Sequence, residues 1–393
     1  MKRNIYLKTI PPAEAVARVK ASIDREALIR EETIPSHEAS GRVLAHAVHA
    51  RYSSPTFHSA AMDGYAVNAR STFAAREGHP LTLKAGETCF AVNTGHPMPE
   101  GCDAVIMIEQ VMLDGGSVTI EAPAFPWQHV RRIGEDIVAT ELLFPRNHQL
   151  RPWDVGALLS GGIWDVPVWE RVTVRIIPTG DEVLDFTTHP DPGKGQVVES
   201  NSQMLAALAR ELGCVVERAA PVPDNPEALH QALKDSLDAG RHLTIFCAGS
   251  SAGSKDFTRA TLEKEGEILT HGIAAMPGKP SLLANCRGRL VAGAPGYPVS
   301  ALVCFKELLE PLISWLSHRE PPAKTVVPVE LTRTVPSRPG VEEHVRVSIG
   351  RVGDKLVATP LGRGAGNITD FHQTSPPSPA RRATCASPSR PKA

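Results

Sequence analysis

Val172-Thr-Val-Arg-Ile-Ile177 runs straight into Pro178-Thr-Gly-Asp-Glu182, an apolar stretch closed by turn formers and two acids. The first six residues predict a strand, and the next five a loop at its carboxyl end. A helix is expected over 201–212, where Met204, Leu205, Leu208 and Leu212 share one face, with Gly213 suited to the position just past its end. A strand (Cys214–Arg218) and a second helix (Pro226–Ala239, with Leu229, Leu233 and Leu237 on one side) come next. Leu243–Ala248 and Leu290–Gly293 are further strands, the last leading into a helix from Val299 to Leu316. Strands alternating with helices predict an α/β domain with a parallel or mostly parallel sheet.

The flanks have a different texture. Residues 11–31 open on Pro-Pro and space Val16, Val19, Ile23 and Leu28 along one helical face. From about 45 to 135, short apolar runs (Val105–Ile108, Val118–Ile120) alternate with Gly and Pro, which suggests a small β-rich module. Residues 136–170 are mixed, with a helix near Pro152–Ser160. After Pro321-Pro322 the β pattern returns in Thr325–Leu331, His344–Ile349 and Lys355–Ala358. Beyond Phe371 come five prolines, four Lys/Arg and no acid, so that tail is expected to be disordered.

Composition narrows the function classes. A chain of 393 residues with 42% apolar residues is long enough for several cores. Its net charge of −1 gives no general attraction to nucleic acid or membrane. No apolar run approaches the roughly 20 residues that span a bilayer, and no apolar segment follows Met1-Lys-Arg to make a secretory signal. Seven dispersed cysteines, without a C-x-x-C pair, point to reduced thiols and a cytoplasmic location.

Three strands of the α/β domain end in loops of small residues: Pro178–Glu182, Ala248-Gly-Ser-Ser-Ala-Gly-Ser-Lys-Asp256 and Gly293-Ala-Pro-Gly-Tyr-Pro-Val-Ser300. Ligands of open α/β sheets bind outside the carboxyl ends of strands, and backbone N–H groups of such loops attract anions. One glycine-rich turn is as often only a turn. Three in one domain, two of them carrying a carboxylate, favour an anionic ligand with a metal. Glu182 and Asp256 suit a hard cation such as Mg²⁺, with Lys279 adding positive charge. Asp256 and Ser300 also suit helix N-caps.

Taken together, Ala61-Met-Asp-Gly-Tyr-Ala66, Thr94-Gly-His-Pro-Met-Pro-Glu-Gly-Cys-Asp-Ala104, Gly134-Glu-Asp-Ile137, Thr179–Glu182, Ser200-Asn-Ser202, Pro223-Asp-Asn-Pro226, Pro277-Gly-Lys-Pro280 and Pro295–Ser300 resemble the molybdopterin molybdenumtransferase family, that is, bacterial MoeA and the E domain of gephyrin. The resemblance runs from about 35 to 370. It implies an elongated N-terminal domain from 1–45 and 136–170, an inserted β domain at 46–135, the molybdopterin-binding α/β domain at 171–321, a β-barrel-like C-terminal domain at 322–371, and the tail 372–393. It also implies a homodimer with the cleft between subunits, and a reaction of adenylylated molybdopterin with molybdate. Mg²⁺ would assist, AMP would leave, and molybdenum would end on the dithiolene sulfurs. Transient contact with the molybdopterin adenylyltransferase and with apo-molybdoenzymes or their chaperones follows from the same likeness.

By matched position, Asp63, Asp136, Glu182, Asp224 and Asp256 are the catalytic carboxylates, with Glu182 and Asp256 as metal ligands. Thr94, Gly249, Ser250, Gly253, Ser254, Lys279, Pro295, Pro298, Ser300 and Arg346 are the binding residues. Asp224 equally suits an ordinary cap before Pro226. Three features depart from the family: Met276 where many members have Lys, Ala365 where Ser is common, and the Pro/Arg tail, which is expected to leave a sheet edge unpaired. Rival readings are a tungstate-selective enzyme, a molybdopterin-binding scaffold without metal insertion, and an adenylyltransferase acting one step earlier.

Overall fold

The computed structural model describes residues 8–247, 257–362 and 382–386. The chain divides into two compact units, one of Glu32–Val168 and one of Met1–Glu31 with Trp169–Ala393.

The larger unit is built on a six-stranded sheet. Its strands are β1 (Thr173–Pro178), β2 (Val215–Arg218), β3 (Leu243–Cys247), β4 (Gly266–His271), β5 (Leu282–Cys286) and β6 (Arg289–Ala294), in the spatial order β2-β1-β3-β6-β5-β4. The first four in that order are parallel; β5 and β4 add antiparallel to the edge. Val174, Ile176, Ile177, Ile245 and Phe246 are all wholly buried, as strands covered on both faces must be. Leu229, Leu233 and Leu237 of the Pro226–Asp238 helix pack with Leu262 of the Phe257–Glu265 helix onto Ile177, Phe246 and Val291.

The mostly parallel α/β fold is as the alternation predicts, but β4 and β5 went unread. Cys286 pairs with Arg289 across a two-residue turn in which Arg287 and Gly288 have φ of 52° and 76°. That is the primed geometry that suits a hairpin, made here without the Asn-Gly or Asp-Gly pair that usually announces it.

The N-terminal helix α1 (Pro12–Ser22) buries Ala15 and Val19. It was expected to share a domain with 136–170. Instead it packs on β4, β5 and the Glu310–Leu316 helix of the larger unit. Arg18 donates to the Leu269 carbonyl (3.2 Å), and Asn285 Nδ2 donates to Ser22 O and Oγ, both at 2.8 Å. An amphipathic face specifies burial but not the partner, which is why sequence alone misassigned it.

The C-terminal part is a second sheet around β7 (Glu342–Val352), which pairs antiparallel with β8 (Lys355–Pro360) and parallel with Ala275–Met276. The tail, expected to be disordered, carries a strand. Arg382–Ala386 forms β9, antiparallel to β7 over 344–348. Val347 and Ser348 pair with both β8 and β9, so β9 lies on the edge that was expected to be open. The unpaired N–H and C=O groups of a long strand are a template for whatever chain passes, and flanking prolines do not cancel that.

The smaller unit contains two three-stranded antiparallel sheets, Cys89–Val92/Gly64–Val67/Ala104–Met107 and Leu81–Lys84/Ser117–Ile120/Val111–Asp114. A separate core joins Ala39, Leu44 and Val48 to Leu150, Leu158, Val166 and Val168, from either side of that β-rich segment.

At the head of the Pro152–Ser160 helix, Asp154 is only 3% exposed. Burial pushes its pKa up, but hydrogen bonds from the Arg151 side chain and backbone and from His148 outweigh it and hold it at about 2. The depressed folded-state value stabilises the fold above the ordinary carboxyl range, and that stability is lost as pH falls through it. Asp154→Asn should therefore cost roughly 2 kcal/mol at neutral pH and only about 0.4 kcal/mol near pH 2. Urea denaturation at both pH values checks this; an equal cost at each would refute it.

No helix among the described residues is long and apolar enough to cross a membrane. The six described cysteines are free, and burial pushes Cys214 and Cys286 up to about 12.

Candidate functional site

A cavity of about 510 Å³ opens in the larger unit between the Met276–Pro280 loop, Ser300 and β7. Lys279, Ser300 and Arg346, picked out separately in the sequence, all line it. The loop is held by its backbone. Ser281 Oγ donates to the Gly278 carbonyl (2.7 Å) and the Ile273 N–H to that of Lys279 (2.9 Å), while the Lys279 side chain stays exposed. Gly278 has φ 115°, and a Cβ there would sit 3.1 Å from Val303 Cγ1, so the loop can run this close only as glycine.

Ser300 is not the N-cap. Pro298 takes the first position of the Pro298–Cys304 helix, and Ser300 lies in its first turn, 6% exposed. Arg346 is 7% exposed, and its Nη2 donates to the Gly362 carbonyl at 2.7 Å. Met276 puts a thioether in the wall beside these groups, so the cavity draws its positive charge from Lys279, Arg346 and Arg338, against the one lining carboxylate of Glu343.

Pro295 and Pro298 do not line the cavity. They shape the neighbouring loop, where Asn201 Nδ2 donates to the Gly296 carbonyl (2.7 Å). Asn201 and Arg218 were missed as positioning residues. Arg218 bonds Ser202 Oγ (2.9 Å) and Asp185 (3.0 Å) and pairs with the buried Glu199 (3.6 Å), tying β2 to the 185–202 segment. Nothing in an isolated Ser-Asn-Ser announces such a network.

The loop after β1 presents Glu182 to solvent. Gly180, at φ 138°, has no room for a Cβ, which would meet Val183 Cγ2 at 2.8 Å. The Asp224 N–H donates to Asp181 Oδ1 (3.0 Å), so Asp181 draws the Asp224 loop to the Glu182 loop. Asp224 does not cap the Pro226–Asp238 helix. Asn225 does, its Oδ1 accepting from the N–H groups of Glu227 (2.9 Å) and Ala228 (3.0 Å). Among the described residues, Glu182 belongs to no group of three or more possible metal ligands. Gly249, Ser250, Gly253, Ser254, Asp256 and Ala365 lie outside the described residues.

In the smaller unit Asp63 and Thr94 meet. Asp63 Oδ1 accepts from the Thr94 N–H (2.7 Å) and Oγ1 (3.1 Å). The backbone bond first, then the hydroxyl, outweighs desolvation and lowers the Asp63 pKa, and His96 adds to this. Asp63 is exposed, ionised and fixed in place, directly before a strand. Asp136 is also exposed, in a turn whose N–H groups at Asp136 (3.0 Å) and Ile137 (3.1 Å) donate to the Ser54 carbonyl.

Residues 10–162 match the family model for the MoeA N-terminal region (domains I and II), and residues 175–315 match the probable molybdopterin binding domain. The chain is 34% identical to the molybdopterin molybdenumtransferase of Haemophilus influenzae over 309 residues, 74% of each chain. It is also 34% identical to molybdopterin molybdenumtransferase 2 of Mycobacterium tuberculosis, over 72% of this chain and 74% of that one. The solved structure of the MoeA protein from Pyrococcus horikoshii superimposes with a TM-score of 0.76 and 28% identity, over 96% of this chain and 97% of the other.

Proposed function

Because this chain belongs to the molybdopterin molybdenumtransferase family, transferases of molybdenum cofactor biosynthesis, we propose that it takes adenylylated molybdopterin and molybdate, releases AMP and delivers molybdenum to the dithiolene. The observation that carries this reading is the cavity where Lys279, Arg346 and Ser300 converge. Phosphate and molybdate are tetrahedral oxyanions, and two cations with a hydroxyl in a shaped recess complement them. Arg346, buried and braced on the Gly362 carbonyl, holds its guanidinium in one orientation. Lys279, on a pinned backbone but with an exposed head, is suited to meeting an oxyanion at the cavity mouth.

Mg²⁺ fits this chain through the exposed Glu182 carboxylate, since that ion takes one or two protein carboxylates and completes its shell with water and substrate oxygens. When bound, it would neutralise charge on the phosphoanhydride. Asp63 is a fixed carboxylate able to relay protons from the dithiolene thiols, as they bond to molybdenum, to the oxo groups that leave as water. The large exposed apolar side chains of the smaller unit, Phe125 (68%) and Trp153 (67%) among them, suit a homodimer. Asp136, Asp224 and Asp256 complete the proposed set of catalytic carboxylates.

The test is to incubate the purified chain with adenylylated molybdopterin, Mg²⁺ and either molybdate or tungstate. AMP release and reconstitution of an apo-molybdoenzyme are then measured. Ligand binding without AMP release would support a scaffold instead, and activity with tungstate alone would make the enzyme tungstate-selective. Lys279→Ala should weaken molybdate or substrate binding by about tenfold, the scale of one charge-assisted contact. Unchanged affinity would remove Lys279 from the site.

A further inference from the structure

Glu307, Glu342 and His344 are not among the proposed binding or catalytic residues, although His344 lines the wall of the same cavity; each offers one ligand atom, and these atoms lie within 4.8 Å of one another. Glu342 and His344 are alternate residues of β7 and share one face of it. Glu307 comes from a different element, the π-helical turn Phe305–Leu309 between the Pro298–Cys304 and Glu310–Leu316 helices. Such turns interrupt a helix and recur at functional sites. The strand side is braced as well, since the Glu342 N–H donates to the Ala274 carbonyl at 2.8 Å.

His344 supplies the observation that singles this cluster out. Its Nε2 is shut off from solvent and has no hydrogen-bond partner. A buried polar atom left without a partner costs about 1–3 kcal/mol, so an unpaired imidazole nitrogen beside two carboxylates is a poor structural device. The neighbouring cation is Lys324, which bonds Glu307 at 3.1 and 3.2 Å, but its side chain is 68% exposed.

We propose that Glu307, Glu342 and His344 form a binding site for a divalent transition-metal ion of the zinc class, pinning the helix that carries Glu307 to the C-terminal sheet. The donor set selects the ion: imidazole nitrogen with carboxylate oxygens suits zinc and its neighbours, whereas Mg²⁺ prefers oxygen alone. Three protein ligands leave a fourth position for water. Lys324 competes with the ion for Glu307.

The full chain, stripped by a chelator and held in excess Mg²⁺, is titrated with Zn²⁺ by calorimetry, and bound metal is counted by mass spectrometry. One zinc per chain is expected. Glu342→Gln and His344→Asn should each weaken binding by at least about tenfold, since even changes outside the ligand shell cost 10–100-fold. Lys324→Ala should tighten it, which a merely structural lysine would not do. If His344→Asn fails to fold, the other two variants still decide. Absence of stoichiometric zinc, displacement by Mg²⁺, or affinity unchanged in the variants would overturn the site.

Discussion

Replacing Asp63 by asparagine should cut AMP release by about 10²–10⁴-fold, the usual contribution of a positioned acid–base group. The circular dichroism spectrum and melting temperature should stay as in the parent chain. Asparagine keeps Oδ1, so it can still accept the bonds now made by the Thr94 N–H (2.7 Å) and Oγ1 (3.1 Å). The side chain is exposed, so losing its charge incurs no burial penalty. What disappears is the negative charge and the ability to take up a proton. Activity within a few-fold of the parent would mean that Asp63 only shapes its loop. The lowered pKa sharpens the test. A carboxylate held ionised below its ordinary range should not limit the rate as pH falls towards 5, so an acid limb in the weakly acid range would have to come from another group.

Strand–helix alternation from Val172 to Leu316 was legible because each element is long, periodic and punctuated, and the four parallel strands follow from that. The antiparallel strands Gly266–His271 and Leu282–Cys286 were not, because the turn that joins the second of them to Arg289–Ala294 uses Arg287-Gly288 in place of a recognisable hairpin pair. Lys279, Ser300 and Arg346 were each legible as candidates, yet only the fold brings a loop, a helix start and a distant strand to one cavity. Asp181 and Arg218 went unread for a related reason. Their roles consist of contacts to Asp224, Ser202 and Asp185, and no local pattern encodes a partner. The Glu307–Glu342–His344 cluster shows the same limit. Its ligands are 35 residues apart between Glu307 and Glu342, without a spacing that a motif would record.

Gly64, the neighbour of Asp63, should fail in the opposite way. A Cβ at Gly64 would stand 2.0 Å from the Ile106 carbonyl oxygen and 2.9 Å from its carbon. Both are backbone atoms of the strand that pairs with it, so no side-chain rotation relieves the clash. Gly64→Ala must push Ala104–Met107 away from Gly64–Val67, opening a core in which Val67, Ala104 and Ile106 are almost wholly buried. The expected loss is more than about 3 kcal/mol, beyond ordinary overpacking because the backbone itself has to move. Scanning calorimetry should show the transition of the Glu32–Val168 unit lowered or missing. Gly156→Ala is the control. It sits in the exposed interior of the Pro152–Ser160 helix with nothing within 4 Å of its would-be Cβ, and should gain about 0.5–1 kcal/mol from helix propensity alone. One substitution, made twice in one unit, is thus expected to carry opposite signs. If Gly64→Ala melted with the parent, the close approach of the two strands would be wrong, and with it the argument that glycine follows Asp63 because the sheet leaves no room for anything larger.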